Sequence, residues 1–334
     1  MSFYLFIFSI VAIKYSFSEI GESLLTITRG DISEINAFGI GWLLTLVLQS
    51  SGATTSTLIA LNYAGIIGPV ILIFMVLGTR IGTTITSLFV ALLVSAKRRD
   101  FRHGFEIGLA NLVYAVPVAV VMFLAEYFFS FFSKTGNYFV SFEAPFKLNF
   151  IDSITFPIIK LIDIILPNYL FALLGVLLLI VSLKKMPSFM VKLWGEDYLR
   201  EKINKYMGKK NFSFIIGFLI AVVLTSTSIT ITLLVPLAVS RIINLKKAIP
   251  YIIGTNLGGV VDAVIGGLIV GKTAIPAVFT YVCFSLIGLL WLFNTDLMFK
   301  TTKYISKKTF HISKKRAILF VLLFVLIAVV LSFV

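Results

Sequence analysis

The sequence predicts an all-α polytopic membrane protein with two inverted-topology repeats, each a re-entrant helical hairpin plus spanning helices, and an extra C-terminal helix. Three observations predict it. Of 334 residues, 59% are hydrophobic and 13% charged, and the mean hydropathy is +1.03. Long uncharged runs such as Ile66–Leu77, Val113–Ala125 and Ala317–Val334 suit a bilayer core. The basic residues fall between these runs, in a pattern that sets a topology. An uncommon run of hydroxyls and glycines occurs twice, each time inside an apolar stretch where unpaired polar groups are costly.

The same composition excludes other classes. The short alternating segments of a membrane β-barrel are absent. A net charge of +14 suits nucleic acid in a soluble chain, but here the cations lie in the loops between apolar segments. Cys283 is the only cysteine, and His103 and His311 are the only histidines, which excludes an intrachain disulfide and argues against a His/Cys metal site. The loops between the apolar runs hold no plausible ATPase or transfer domain, so an enzyme is not expected. Ser2–Phe17 has no basic leading region and no small-residue cleavage site, and Lys14 interrupts it, so it reads as a retained first helix.

Charge placement gives the topology. Lys97–Arg102, Lys184–Lys210, Arg241–Lys247 and Lys300–Arg316 together hold 22 of the 29 lysines and arginines. The positive-inside rule makes these segments cytoplasmic, and makes Glu19–Glu34, Asn62–Pro69, Lys134–Phe156 and the turn at Lys272 external. Spanning helices then fit at 2–18, 70–96, 103–133, 157–182, 247–271, 273–298 and 317–334. Residues 35–62 must begin and end outside, and residues 212–240 must begin and end inside, so both become hairpins. The expected organisation is a first repeat over 1–133, an external loop over 134–156 and an inverted second repeat over 157–298. A basic cytoplasmic loop and a last helix follow over 299–334. The N-terminus is expected in the cytoplasm and the C-terminus outside. Residues 184–210 form a cytoplasmic segment whose 188–207 stretch mixes apolar and charged positions, suited to the inner leaflet or to a solvated linker.

Each hairpin carries one copy of the motif. The first is Gln49-Ser50-Ser51-Gly52-Ala53-Thr54-Thr55-Ser56-Thr57, followed by Gly78-Thr79-Arg80-Ile81-Gly82. The second is Leu224-Thr225-Ser226-Thr227-Ser228-Ile229-Thr230-Ile231-Thr232, followed by Gly254-Thr255-Asn256-Leu257-Gly258. Read against each other, Ser51 pairs with Ser226 and Thr55 with Thr230, and the Gly-Thr runs follow with a one-residue shift. One such cluster usually serves helix packing. Two at matching places point to a binding site between repeats. Glycines and hydroxyls let a hairpin unwind, freeing carbonyls for a small hard cation and helix N-termini for an anion.

Gln49-Ser50-Ser51, with the Gly78–Thr84 run, resembles the sodium–phosphate cotransporter family. The resemblance implies two inverted repeats with a Gln-Ser-Ser-type motif each, inward sodium coupled to inorganic phosphate, and no catalysis. It implies that Gln49, Ser50, Ser51, Thr225 and Ser226 line the site and hold sodium. The wider candidate set adds Thr54, Thr55, Thr79, Arg80, Thr83, Thr227, Ser228, Thr255, Asn256 and Asp262. Three positions depart from the family pattern: Leu224 where a Gln is expected, Arg80 where the family carries Asn, and Asp262 opposite Thr86. Losing an amide removes an oxygen ligand and gaining an arginine adds a fixed charge. Both leave open a carrier or channel without sodium coupling, or a non-transporting sensor.

An arginine at bilayer depth costs about 2.5–3.5 kcal/mol on insertion scales, so it needs a partner or a function. Two readings stand: a planar fork for phosphate, or an ion pair with Asp262. Glu106, close to Arg102, reads as a solvated or interface residue. Glu126 and Phe128–Phe132 read as the outer aromatic belt, and Lys160 with Asp163 as an i, i+3 pair. The expected partners are inorganic phosphate, sodium, a bilayer with anionic inner-leaflet lipids and a second copy of the chain as a candidate homodimer. Nucleic acid and a bound cofactor are not expected.

Overall fold

A computed structural model describes residues 32–63, 67–94, 98–138, 205–261, 263–264, 274–310 and 314–334, with Phe8 and scattered positions between 167 and 201. The expected spans at 2–18 and 157–182, the amphipathic stretch 188–207, the pair Lys160–Asp163 and Asp262 lie wholly or almost wholly outside the described residues. The described part is helical throughout. Four of its helical stretches are long and apolar enough to cross a bilayer: Pro69–Val94, Phe101–Phe129, Ile275–Phe293 and Lys314–Phe333. An all-helical chain with four such stretches is consistent with a polytopic membrane protein.

The segment expected as the first hairpin holds α1 (Glu34–Leu48) and α2 (Ser51–Tyr63). Ser33 caps α1, its hydroxyl accepting from the Asn36 N–H at 3.1 Å, which satisfies one of the orphan donors of a helix start. The helix stops at Gln49, whose backbone is left-handed at φ 55°. Two further helices follow, α3 (Pro69–Gly82) and α4 (Ile85–Val94). Pro69 starts α3, where a missing N–H costs nothing. The expected continuous span over 70–96 is interrupted at Thr83 and Thr84, where the Thr84 hydroxyl bonds back to the Ile81 carbonyl at 2.8 Å.

α5 (Arg98–Phe129) is the longest described element and packs against α3 and α4. It starts five residues before its expected position, drawing much of the basic segment Lys97–Arg102 into its first turn. α6 (Phe131–Tyr138) follows a break at Ser130, at φ 50°. Glu126, read in the sequence as part of an aromatic belt, is buried and caps α6 instead. Its carboxylate accepts from the Phe132 N–H at 2.7 Å and the Ser133 N–H at 3.2 Å, a favourable placement for an anion at a helix N-terminus. Phe128, Phe129 and Phe131 are exposed as the belt requires, while Phe132 is buried.

The segment expected as the second hairpin holds α7 (Lys210–Leu224) and α8 (Thr227–Val239), followed by α9 (Leu245–Gly258). Ser226 caps α8 by accepting from the Ile229 N–H at 3.3 Å, and Asn244 caps α9 from the Lys247 N–H at 3.1 Å. α10 (Ile275–Gly288), the short α11 (Leu290–Phe293), α12 (Thr295–Phe310) and α13 (Lys314–Phe333) complete the chain. Most of the segment expected as a basic loop, Lys300–Arg316, is therefore helix. Alternating charged and apolar residues give α12 a buried side, with Met298, Thr302 and Ser306, that rests on α5 and α9. α8, α9 and α10 also pack on α5, which so forms the central post of the described bundle. α13 lies along α1, with Trp42 against Phe324 at 4.6 Å between ring centroids.

Glu106 is the second correction. It is 1% exposed, because α12 closes over it. Its carboxylate accepts from Arg102 Nε at 2.9 Å, Lys303 Nζ at 2.5 Å and Ser306 Oγ at 3.1 Å. A buried charge needs such saturation. Glu106→Ala is expected to destabilise the fold by about 1–3 kcal/mol, since Arg102 and Lys303 keep partial access to water. A lowered denaturant midpoint in detergent checks it, with Lys303→Arg as the conservative control.

Candidate functional site

The two helix–break–helix segments break in the same way. Gln49 ends α1 in the left-handed region and Thr225 ends α7 there, at φ 46°. Neither is glycine, so each break holds a conformation that side chains adopt rarely. One residue on, the Ser50 carbonyl accepts from the Thr54 hydroxyl at 2.7 Å, and the Ser226 carbonyl accepts from the Thr230 hydroxyl at 2.7 Å.

The packing around the breaks matches too. A Cβ on Gly78 would overlap the Phe38 carbonyl oxygen, and one on Gly254 the Phe214 carbonyl oxygen. Gly41 and Gly217 stand in the same relation to the Met75 and Tyr251 carbonyls, and Gly82 and Gly258 to those of Trp42 and Phe218. These glycines let α1 lie backbone to backbone on α3, and α7 on α9. The correspondence runs Gln49 to Thr225, Ser50 to Ser226, Thr54 to Thr230, Gly78 to Gly254 and Arg80 to Asn256. Arg80 and Asn256 are 176 residues apart, and this spacing removes the one-residue shift of the Ser51–Ser226 alignment. Thr225, not Leu224, therefore stands at the position of Gln49.

Arg80 and Asn256, equivalent in this sense, touch each other. Arg80 is 3% exposed. Its Nη2 donates to Asn256 Oδ1 at 3.2 Å and to Ser285 Oγ at 3.3 Å. Its guanidinium carbon lies 4.3 Å from the Tyr281 ring centroid and 4.8 Å from that of Phe284, a cation–π seat. Arg80 Nε has no hydrogen-bond partner, and among the described residues no carboxylate pairs with this cation. The ion pair with Asp262 concerns a residue outside the described ones.

A polar network spreads from this contact through three elements. Asn256 Nδ2 donates to Asn111 Oδ1 at 3.0 Å. Ser285 Oγ donates to the Asn256 carbonyl at 2.8 Å, and Tyr114 OH to the Ser285 carbonyl at 3.4 Å. Ser51 Oγ lies 2.7 Å from Tyr281 OH, which ties the start of α2 to the ring under Arg80. The described structure thus brings together Ser51, Arg80 and Asn256 from the candidate set. Five others bond within their own helix or to a neighbouring one, Thr54 to the Ser50 carbonyl as above. The Thr79 hydroxyl bonds to Val76 O and lies 3.4 Å from Thr55 Oγ1, Thr83 bonds to Thr79 O, and Thr255 bonds to Gly217 O. Gln49, Ser50, Thr225 and Ser226 sit at the breaks, half-buried. Buried Thr227 and Ser228, with Thr86 and Thr232, carry hydroxyls without a partner.

Sequence reasoning gave Asn111 no role and missed Tyr114, Tyr281 and Ser285. The available signal was spacing: Asn111 and Tyr114 at i, i+3, and Tyr281 and Ser285 at i, i+4, put polar groups on one face of an apolar helix.

Comparisons with known proteins agree with the resemblance. The sodium-dependent phosphate transport protein 2A of Rattus norvegicus, and that of Mus musculus, are each 31% identical over 110 residues. The Ovis aries protein of that name gives the same identity over the same length. The aligned stretch is 30% of this chain and spans only 17% of the length of these relatives. No solved structure matches the chain. The model of the Na+/Pi-cotransporter family matches residues 5–149 and 178–331, most of the sequence, and the chain belongs to that family, which is one of transporters and not of enzymes.

Proposed function

We propose that this protein carries inorganic phosphate across the membrane, coupled to sodium, by alternating access between two inverted-topology repeats. The carrying observation is the buried cation at Arg80, with an unpartnered Nε and no described carboxylate partner, held where α3 meets α9, the helices that follow the two matching breaks. A guanidinium offers five N–H donors. Two contacts from Nη2 leave donors for an oxyanion, and low dielectric strengthens each of them. Family membership supports phosphate as that anion and sodium as the coupling ion.

In this reading Gln49, Ser50, Ser51, Thr225 and Ser226 supply the oxygens for sodium at the two breaks, where helix ends free backbone groups. Thr227 and Ser228 add hydroxyls that are otherwise unpartnered. Arg80 faces the anion, and Asn256, whose amide hydrogens are spent on Asn111 and the Ile252 carbonyl, holds the guanidinium from the other repeat. Rocking of the hairpins against the post formed by α5 exposes the site to each side in turn. The N-terminus is cytoplasmic and the C-terminus external, following the basic segments.

A second reading is favoured by Arg80 itself: a fixed cation beside Asn256 supplies charge that a coupling ion would otherwise bring, leaving an uncoupled carrier or channel. Purified protein with radiolabelled phosphate tests the shared premise. Saturable phosphate binding that Ser51→Ala weakens about three- to tenfold, through loss of its hydrogen bond to Tyr281, whose ring underlies Arg80, supports the site. Binding unaffected by Ser51→Ala and by Arg80→Ala overturns it. Bilayer currents far above carrier turnover would select the channel.

A further inference from the structure

We infer that α12 and the start of α5 form a second anion site, which takes the phosphodiester headgroup of an anionic phospholipid. A cavity of about 490 Å³ is lined by Arg102, Phe299, Lys300, Lys303, Tyr304 and Lys307. Four of its six lining residues are cations. Glu106 is engaged by Arg102 and Lys303, so it offsets one charge and fixes those two side chains in the wall. Lys300 and Lys307 are exposed and lie outside every described ion pair. The cavity is therefore strongly positive, with two walls held rigid by the buried carboxylate and two cations left for a ligand.

Position makes that ligand a lipid. α12 connects two stretches able to cross a bilayer, Ile275–Phe293 and Lys314–Phe333, and Arg102 lies at the start of a third, Phe101–Phe129. An amphipathic helix between spans lies along the interface. Leu297, Lys300, Tyr304 and Lys307 follow a helical i, i+3, i+7, i+10 progression, which gives one face of α12. Leu297 is 49% and Tyr304 60% exposed. Apolar groups beside basic ones on one outward face suit an acyl chain and its headgroup phosphate, with lysine stems lying on the apolar part. Free inorganic phosphate would use the cations but gain nothing from Leu297, Phe299 and Tyr304.

The test is native mass spectrometry of the full chain titrated with phosphatidylglycerol, and with phosphatidylcholine as the neutral control. Lys300→Gln/Lys307→Gln removes two charges without touching Glu106. Lys314→Gln/Lys315→Gln removes two exposed charges from the adjacent helix. At about 1 kcal/mol per interfacial cation, the first pair is expected to weaken phosphatidylglycerol retention roughly thirtyfold. The second pair and the phosphatidylcholine titration should show no comparable change. Equal loss in both double variants would make the effect general surface charge and overturn the site. Displacement of phosphatidylglycerol by millimolar inorganic phosphate would overturn it in favour of a free-phosphate site.

Discussion

Arg80→Ala is expected to reduce phosphate uptake by roughly ten- to hundredfold, the equivalent of about 1.5–3 kcal/mol for hydrogen bonds to a charged group. The side chain is buried, lies over Tyr281 and Phe284, and spends only Nη2 on Asn256 and Ser285. Arg80→Lys keeps the charge but loses the planar fork and its fit between two rings, so an intermediate rate is expected. Initial uptake rates against external phosphate, at matched protein content, give the measurement. If Arg80 instead pairs with Asp262, Arg80→Ala/Asp262→Ala recovers what either single change loses. Recovery would reassign the cation from substrate to structure.

The second large effect is expected at the glycines. Gly78→Ala and Gly254→Ala should each destabilise the fold by about 1–3 kcal/mol, because the added Cβ meets the carbonyl oxygen of Phe38 or Phe214. A carbonyl in a helix cannot swing aside as a side chain can. Transport should fall as well, since the contact between α1 and α3 sets where Arg80 sits. Gly68→Ala is the control, because nothing lies within 4 Å of a Cβ there. Thermal denaturation in detergent reads the first effect and uptake the second. Equal stability of Gly78→Ala and Gly68→Ala would show that the helices are not held backbone to backbone.

Much of the arrangement was legible in the residues. Apolar runs located the helices, and the paired hydroxyl motifs located the two breaks, because a cluster of Ser, Thr and Gly inside an apolar stretch signals a cheap place to stop a helix. The break residues themselves were not legible. Gln49 and Thr225 take a left-handed backbone that neither side chain advertises, and that geometry fixes a correspondence one residue away from the match of Ser51 to Ser226. Glu106 and Glu126 were misread for one shared reason. Sequence distance put Glu106 near a basic segment and Glu126 near an aromatic run, yet burial was decided by α12 and by the start of α6. Tyr281 and Ser285 were missed because single polar residues in a span look like ordinary packing until Arg80 arrives from 205 residues away.

The most direct test of the central claim is uptake of radiolabelled phosphate by proteoliposomes under an inward sodium gradient, repeated with potassium in place of sodium. Uptake that is saturable in phosphate and driven by sodium is the predicted result. Equal uptake in the two salts would contradict coupling and leave Arg80 as the charge that replaces the ion. Absence of uptake in both would contradict phosphate transport by this chain.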